Sequence, residues 1–482
     1  MSRHQAIENT LAFFDDGRFK ETLARRVAFR TESQDAASGP ILHAYLDDEI
    51  VPQLEALGFS CRVVENPEAG KSPFLLAERI EPGAAFTLLT YGHGDVVRGY
   101  DAQWRAGLNP WDIVVEGNRW YGRGTADNKG QHTINLTALE QVLAVRQGRL
   151  GYNVKIILEM GEEAGSPGLN EVCALHSELL AADLFIASDG PRVSASRATM
   201  FLGSRGVFNF DLHLKLRDGG HHSGNWGGLL RNPGIRLAHA IASLVDAKGK
   251  ILVPGLRPTE LPASVRVALR DIAIGGDVND PEIDADWGEP GLSSAERVIG
   301  WNSLEVLAFT TGNPAMPVHA IPAEARAHCH MRYVVGSDAT QFMRHIRAHL
   351  DAHGFDDVEL RGTDVHMAAT RLDPDDAWVR WGLASIERST GKPPALLPNL
   401  GGSLPNDVFS ETLSLPTLWV PHSYPACSQH APNEHILADV TRESLQIMAG
   451  LFWDLAEEGP AVFKARQGGK AAHAAPQAEV VQ

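Results

Sequence analysis

Cysteine is scarce and scattered: the four in the chain, Cys61, Cys173, Cys329 and Cys427, stand far apart with no CxxC pair. Such spacing fits neither a disulfide framework nor a zinc knuckle and favours a reducing compartment, so a cytoplasmic protein is expected. An excess of basic charge is also lacking. With 43 Lys+Arg against 60 Asp+Glu, a net charge of −17, a basic nucleic-acid binder is excluded as the default reading. No uninterrupted apolar run reaches the ~18 residues a membrane span needs. The first ten residues hold no apolar stretch and already carry Glu8, so no secretory leader is expected either. Neither GxGxxG nor GxxxxGK[ST] occurs, which disfavours a nucleotide-binding enzyme; around Gly122–Gly130 the lysine, Lys129, precedes its glycine.

What is present is a globular composition. Over 482 residues, 44% are hydrophobic and 21% charged, enough to bury a large core in more than one domain. Apolar residues Ile41, Tyr45, Ile50, Leu54 and Leu57 recur at helical spacing and stop at Gly58. Three short apolar runs, Phe86 to Tyr91, Val154 to Met160 and Leu184 to Ser188, read as buried strands. Between the first two, Leu136, Leu139, Val142 and Leu143 form one face of a helix. Strands alternating with helices predict an α/β catalytic domain with a largely parallel sheet flanked by helices, whose ligands gather beyond the carboxyl ends of the strands.

The pattern changes after Phe201. Phe208, Phe210, Leu212, Leu214 and Leu216 alternate with polar residues, as do Ala327, Cys329, Met331 and Tyr333, predicting strands with one wet face. Helices are expected at Asn232 to Lys248 and around Phe342 to Leu350, with a long loop over Asp271 to Pro290. The α/β pattern resumes near Trp378 to Glu387 and Leu415 to Val420. The expected organisation is therefore a first catalytic part over 1–203, an inserted α+β domain over 204–370, a second catalytic part over 371–465, and a disordered tail over 466–482.

Four polar clusters fall at the ends of the predicted sheet strands: His93-Gly94-Asp95, Gly122 to Gly130 around Asp127, Gly161-Glu162-Glu163, and Ser188-Asp189-Gly190. Together they offer the imidazole and carboxylate ligands that a divalent metal takes. His93 and Asp95, two apart on extended chain, point to one side, so Asp95 can orient the ring of His93. Adjacent acids at Glu162-Glu163 allow one to bind metal while the other moves a proton. Each cluster alone also has a bland reading: a surface pair, a glycine-rich turn or a solvated turn.

Taken in order, HxDxV, GRGxxDxKG, GEExGSxG, a strand-end SDG and a late His-rich segment resemble the M20 metallopeptidases. That group contains bacterial glutamate carboxypeptidase, aminoacylase, succinyl-diaminopimelate desuccinylase and the carnosinase-type dipeptidases. The resemblance implies two divalent metal ions, zinc first with cobalt or manganese as alternatives. Asp127 would bridge them, His93 and Asp189 would complete one site, and Glu163 with His430 the other. His435 is the rival to His430. Glu162 would serve as general base on the metal-bridging water and Asp95 as the orienting residue.

In the inserted domain, which the resemblance makes a lid and dimerisation domain, His222 in His221-His222-Ser223-Gly224 matches a histidine that reaches across a homodimer to the scissile carbonyl. Arg332 matches an arginine that pairs with a substrate carboxylate, and Gly402 and Ser403 match a glycine-rich carboxylate-binding segment. The implied activity is hydrolysis of a peptide amide bond, in a dipeptide or at a C-terminus, next to a free carboxylate, with no nucleic-acid or membrane partner. The alternatives are an N-acyl or N-carbamoyl amino acid amidohydrolase and a catalytically silent peptide-binding protein. Departures from the dipeptidase branch, Gly94, Val97 and Arg98 in His93 to Arg98, Asn399-Leu400 before Gly401 and Ala431 after His430, bear on the substrate more than on the reaction.

Overall fold

The structure, a computed structural model, describes residues 1–275 and 281–474. The chain divides into two compact units: Met1–Leu202 with Leu372–Leu397 and the chain from Val408 onward, and Gly203–Arg371 with Pro398–Asp407.

The first unit is built on an eight-stranded sheet. Its strands lie in the order Ser60–Val64, Phe74–Arg79, Asn153–Glu159, Thr87–His93, Leu184–Ala187, Thr417–Trp419, Thr199–Phe201, Ala395–Leu397. The four central strands pair in parallel, and the Ser60–Val64 and Phe74–Arg79 strands close one side antiparallel. Burial on both faces explains the central sequences: Leu88, Leu89, Val154, Ile157, Leu184 and Phe185 are all buried, so their strands read as nearly continuous apolar runs rather than alternations. Helices cover the sheet. Lys129–Val145 is buried almost all round, which is why only part of its apolar face shows periodicity. It packs against Ala438–Ala474, as does Arg3–Asp15, and Leu139, Val142, Leu445 and Phe452 join one core.

The second unit carries a four-stranded antiparallel sheet in the order Ser303–Thr311, Glu324–Tyr333, Gly206–Lys215, Glu359–Met367. Period-two alternation turns Phe210, Leu212, Leu214, Ala327, Cys329 and Met331 onto one face, where Leu237, Leu244 and Ile346 from helices Pro233–Leu244 and Phe342–Ala352 bury them. Polar residues Asn209, Asp211, His328 and Arg332 occupy the other register positions. Of the expected loop, residues 271–275 and 281–290 hold neither helix nor strand, and 276–280 lie outside the described residues.

Two expectations are corrected. Pro398–Asp407, assigned from sequence to the second catalytic part, belongs to the second unit because the Arg205 amide donates to the carbonyls of Leu400 and Gly402. Arg466 to Ala474, expected to be disordered, continues the helix that begins at Ala438. Alanine, lysine, arginine and glutamine in this stretch are good helix formers and outweigh its glycines. The rest of the expected tail, 475–482, lies outside the described residues. All four cysteines are free, and no helix among the described residues is long and apolar enough to cross a membrane.

Candidate metal centre

His93, Glu162, Glu163 and Asp189 each sit where a strand of the first unit gives way to a turn. His93 ends the Thr87–His93 strand, Glu162 and Glu163 open a 3-10 turn just after Asn153–Glu159, and Asp189 follows Leu184–Ala187. Parallel strands deliver these ends to the same edge. Asp127 is presented by the turn before Lys129–Val145, and that turn is tight: a Cβ on Gly130 would lie 1.9 Å from the Thr125 carbonyl oxygen, so only glycine fits.

Asp127 stands at the centre. Its Oδ1 lies 3.0 Å from His93 Nε2 and its Oδ2 3.0 Å from His430 Nε2. His93 Nε2 is 3.6 Å from Asp189 Oδ2, and His430 Nε2 is 2.9 Å from Glu163 Oε2. Two ligand groups result, His93, Asp127 and Asp189, and Asp127, Glu163 and His430, with Asp127 common to both. Glu162 Oε2 stands 4.0 Å from His93 Nε2. The oxygens of Asp95 accept the backbone N–H groups of Glu162 and Glu163 at 3.2 and 3.0 Å, and its Oδ1 lies 3.3 Å from His93 Nδ1. Asp95 thus ties the histidine to the turn that carries both glutamates.

Charge is crowded here. Burial, and the neighbouring Asp127 carboxylate, push Glu163 up to about 7 and Asp189 up to about 6. Burial raises Glu162 well above the carboxylate range, with Asp189 and Glu163 adding to it and His93 opposing. Burial also works against a charged Asp127, yet hydrogen bonds to His430 and His93 hold it below its usual range. Hydrogen bonds to Asp127 and Glu163 carry His430 up to about 11. Asp189 Oδ2 is buried with no hydrogen-bond partner. Four acids and two imidazoles converging with an orphaned carboxylate oxygen are what a pair of divalent ions would satisfy, so the residues fit such ions.

His435 is engaged elsewhere: its Nε2 lies 2.5 Å from the Tyr424 hydroxyl and its Nδ1 3.0 Å from the Asn433 carbonyl. Sequence reasoning missed two residues. Gln429 donates to Asp127 Oδ2 at 2.5 Å. Glu434, buried, accepts from Arg123 Nη1 at 2.7 Å and from the N–H groups of Gly124, Ala126 and Asp127 at 3.1, 2.9 and 3.1 Å, which fixes the turn presenting Asp127. The four motif residues Arg123, Gly124, Ala126 and Asp127 were in view, but nothing in a linear pattern connects them to an acid some 300 positions later.

The remaining candidates lie in the second unit. His222 is exposed, in a two-residue strand paired with Ala320–Ile321. The Arg332 guanidinium donates to Ser403 Oγ, and that hydroxyl donates to the Arg205 carbonyl at 2.6 Å. The Gly402 carbonyl accepts from the Arg205 amide at 3.2 Å.

Residues 89–454 match the model of peptidase family M20/M25/M40. The chain is 31% identical to the Beta-Ala-His dipeptidase of Mus musculus over 253 residues, 52% of this chain and 49% of that one, so it spans about half the length of that relative. It is 26% identical to the cysteinylglycine-S-conjugate dipeptidase of Corynebacterium striatum, over 74% of this chain and 77% of the other. The M20 family metallo-carboxypeptidase of Sulfolobus solfataricus has the same fold, with a TM-score of 0.76 at 24% identity, covering 91% of this chain and 99% of that one.

Proposed function

The chain belongs to peptidase family M20/M25/M40, and on that premise we propose that it is a cytoplasmic dinuclear metallodipeptidase, acting on the amide bond of a dipeptide or a C-terminal residue next to a free carboxylate. The observation that carries this reading is Asp127, whose two oxygens face separate ligand groups while the unshared Glu162 stands beside them. His93, Asp127 and Asp189 would hold one ion and Asp127, Glu163 and His430 the other. Carboxylates and imidazoles suit zinc, with cobalt or manganese as alternatives. When bound, the ions would supply Lewis acidity and lower the pKa of the attacking water.

The chain's own residues do the rest. Glu162, raised by burial, takes the proton from the attacking water and passes it to the leaving nitrogen. Asp95 orients His93 and holds the turn that carries Glu162. Arg332, braced by Ser403, grips the substrate carboxylate with Gly402 beside it. His222 from a second copy of the chain would steady the developing oxyanion. The homodimer reading is supported by the edge strand Ser303–Thr311, which exposes Val306, Leu307 and Phe309.

An N-acyl or N-carbamoyl amino acid amidohydrolase would use the same chemistry, and the dipeptidase names of the relatives favour the peptide. Assay of purified, metal-loaded protein on a dipeptide panel beside N-acyl and N-carbamoyl amino acids tests the choice. Turnover confined to the acyl panel would overturn the dipeptidase reading, and turnover of neither would leave a peptide-binding protein.

A further inference from the structure

Asn128 follows the shared ligand Asp127 and stands at the N-cap of the helix Lys129–Val145, yet its side chain makes no capping bond. An asparagine at that position ordinarily accepts from the first free N–H groups of its helix. Here the amide is turned the other way. Its Nδ2 donates at 2.8 Å to the Ser188 carbonyl, whose peptide bond leads into the ligand Asp189. Its Oδ1 lies 3.3 Å from His132 Nδ1, and His132 Nε2 lies 2.7 Å from the Tyr45 hydroxyl.

The direction of each bond follows from the groups that meet. The Asn128 oxygen can only accept, so His132 Nδ1 carries the hydrogen. A buried imidazole that faces an amide and a phenol rather than a carboxylate stays neutral, which leaves Nε2 to accept from Tyr45. The chain therefore runs one way, from Tyr45 through His132 and Asn128 to Ser188, and all four residues are buried. The two glycines that flank His93 make room for it. A Cβ on Gly92 would lie 2.9 Å from His132 Cβ and 3.3 Å from Asn128 Oδ1, and one on Gly94 would lie 2.5 Å from the Tyr45 ring. The relay thus packs against the backbone on both sides of His93 and ends beside Asp189. Those two residues form one ligand group with Asp127. Glu163 and His430, which complete the other group, are held by Asp95, Asp127 and each other.

We propose that Asn128 is a positioning residue for the ion held by His93, Asp127 and Asp189. Oriented by His132 and Tyr45, it fixes the Asp189 strand end against the Asp127 turn, and so sets the affinity and coordination geometry of that ion rather than of its neighbour. The assignment rests on the dinuclear reading of the centre, and it can be tested without turnover.

Cobalt is titrated into metal-free, full-length protein, with heat and visible absorption recorded together, because the absorption reports the geometry around the ion. Glu163→Ala leaves the first ligand group intact, and His93→Ala leaves the second. In the Glu163→Ala background, Asn128→Ala should weaken cobalt binding by about 10–100-fold and alter the spectrum, whereas in the His93→Ala background the change should stay below about threefold. Tyr45→Phe keeps the ring against Gly94 and removes only the hydroxyl. It should weaken the first ion in the same direction, by about threefold or more. A merely structural role would lower the urea midpoint of the metal-free protein and leave the cobalt spectrum unmoved. Equal losses in the two backgrounds, or first-ion affinity and spectrum unchanged in folded Asn128→Ala, overturn the positioning role and leave the metal centre standing. If Asn128→Ala does not fold, Tyr45→Phe decides, and unchanged affinity and spectrum there overturn the role. Wild-type protein that takes up no cobalt would overturn the dinuclear reading itself, and the positioning role with it.

Discussion

Replacing Glu434 by alanine should damage both the fold and the metal centre, although Glu434 is no metal ligand. Its carboxylate accepts four hydrogen bonds, one from Arg123 and three from the backbone of the Asp127 turn. Arg123 is 1% exposed, and its Nε and Nη2 have no other partner among the described residues. Glu434→Ala therefore strands a buried guanidinium, a lesion of about 3–5 kcal/mol. The three orphaned amides add to this only as far as water cannot enter the space vacated. Loss of the turn's anchor should also weaken metal binding by about 10–100-fold, as removal of an outer partner of a ligand typically does. Glu434→Gln keeps the volume and one accepting oxygen, so it should cost only about 1–3 kcal/mol. Adding Arg123→Leu to Glu434→Ala should recover part of the loss, since no charge is then left unpaired. Urea denaturation of the metal-free proteins and a metal titration of the folded ones read both effects. A Glu434→Ala protein with wild-type unfolding midpoint and wild-type metal affinity would refute the reasoning.

Asp127→Ala should lose or scramble both ions, whereas His93→Ala and Glu163→Ala should each weaken chiefly one; elemental analysis finding two tightly held ions in Asp127→Ala would contradict the bridging role. Metal should stabilise the fold more at about pH 7.5 than at about pH 5. Glu163 and Asp189 are raised to about 7 and about 6, so the folded state binds more protons than the unfolded one between their ordinary carboxylate values and those values, and the metal-free fold weakens as pH rises through that window. Ions that take the deprotonated groups compete with protons below it, and a melting shift that shrinks with rising pH would oppose this. His222→Ala should keep its metal and lose about 10²–10³-fold in rate. Mixing it with inactive Glu162→Gln should restore part of the activity if His222 serves a second copy; no recovery after demonstrated subunit exchange would make His222 a local residue.

The central strands were legible because full burial on both faces writes them as nearly continuous apolar runs between turn residues, as in Leu88–Tyr91 and Val154–Leu158, where only Thr90 and Lys155 interrupt. Two of the four sheet strands of the second unit, Gly206–Lys215 and Glu324–Tyr333, were legible for the opposite reason, a strict alternation imposed by one covered face. The helix over Arg3–Asp15 was not, because it buries only Ala6, Ile7 and Thr10 and shows little periodicity. The ligand types were visible because strand-end clusters keep His93, Glu163 and Asp189, and a glycine-rich turn keeps Asp127, in short, recognisable stretches. Glu434 and Gln429 were invisible for a physical reason: their parts depend on a loop folding back onto Asp127, and hydrogen bonds across some 300 residues leave no local period. Arg466 to Ala474 reads as disordered from its low hydrophobicity, yet helix propensity continues there the helix that begins at Ala438.

The proton-transfer role of Glu162 is tested most directly by Glu162→Gln, measured for metal content and dipeptide turnover on the same sample. The account predicts two ions per chain, as in the wild type, and a rate lower by about 10²–10⁴-fold, because an amide cannot accept the water's proton. Near-wild-type turnover with both ions in place would contradict it.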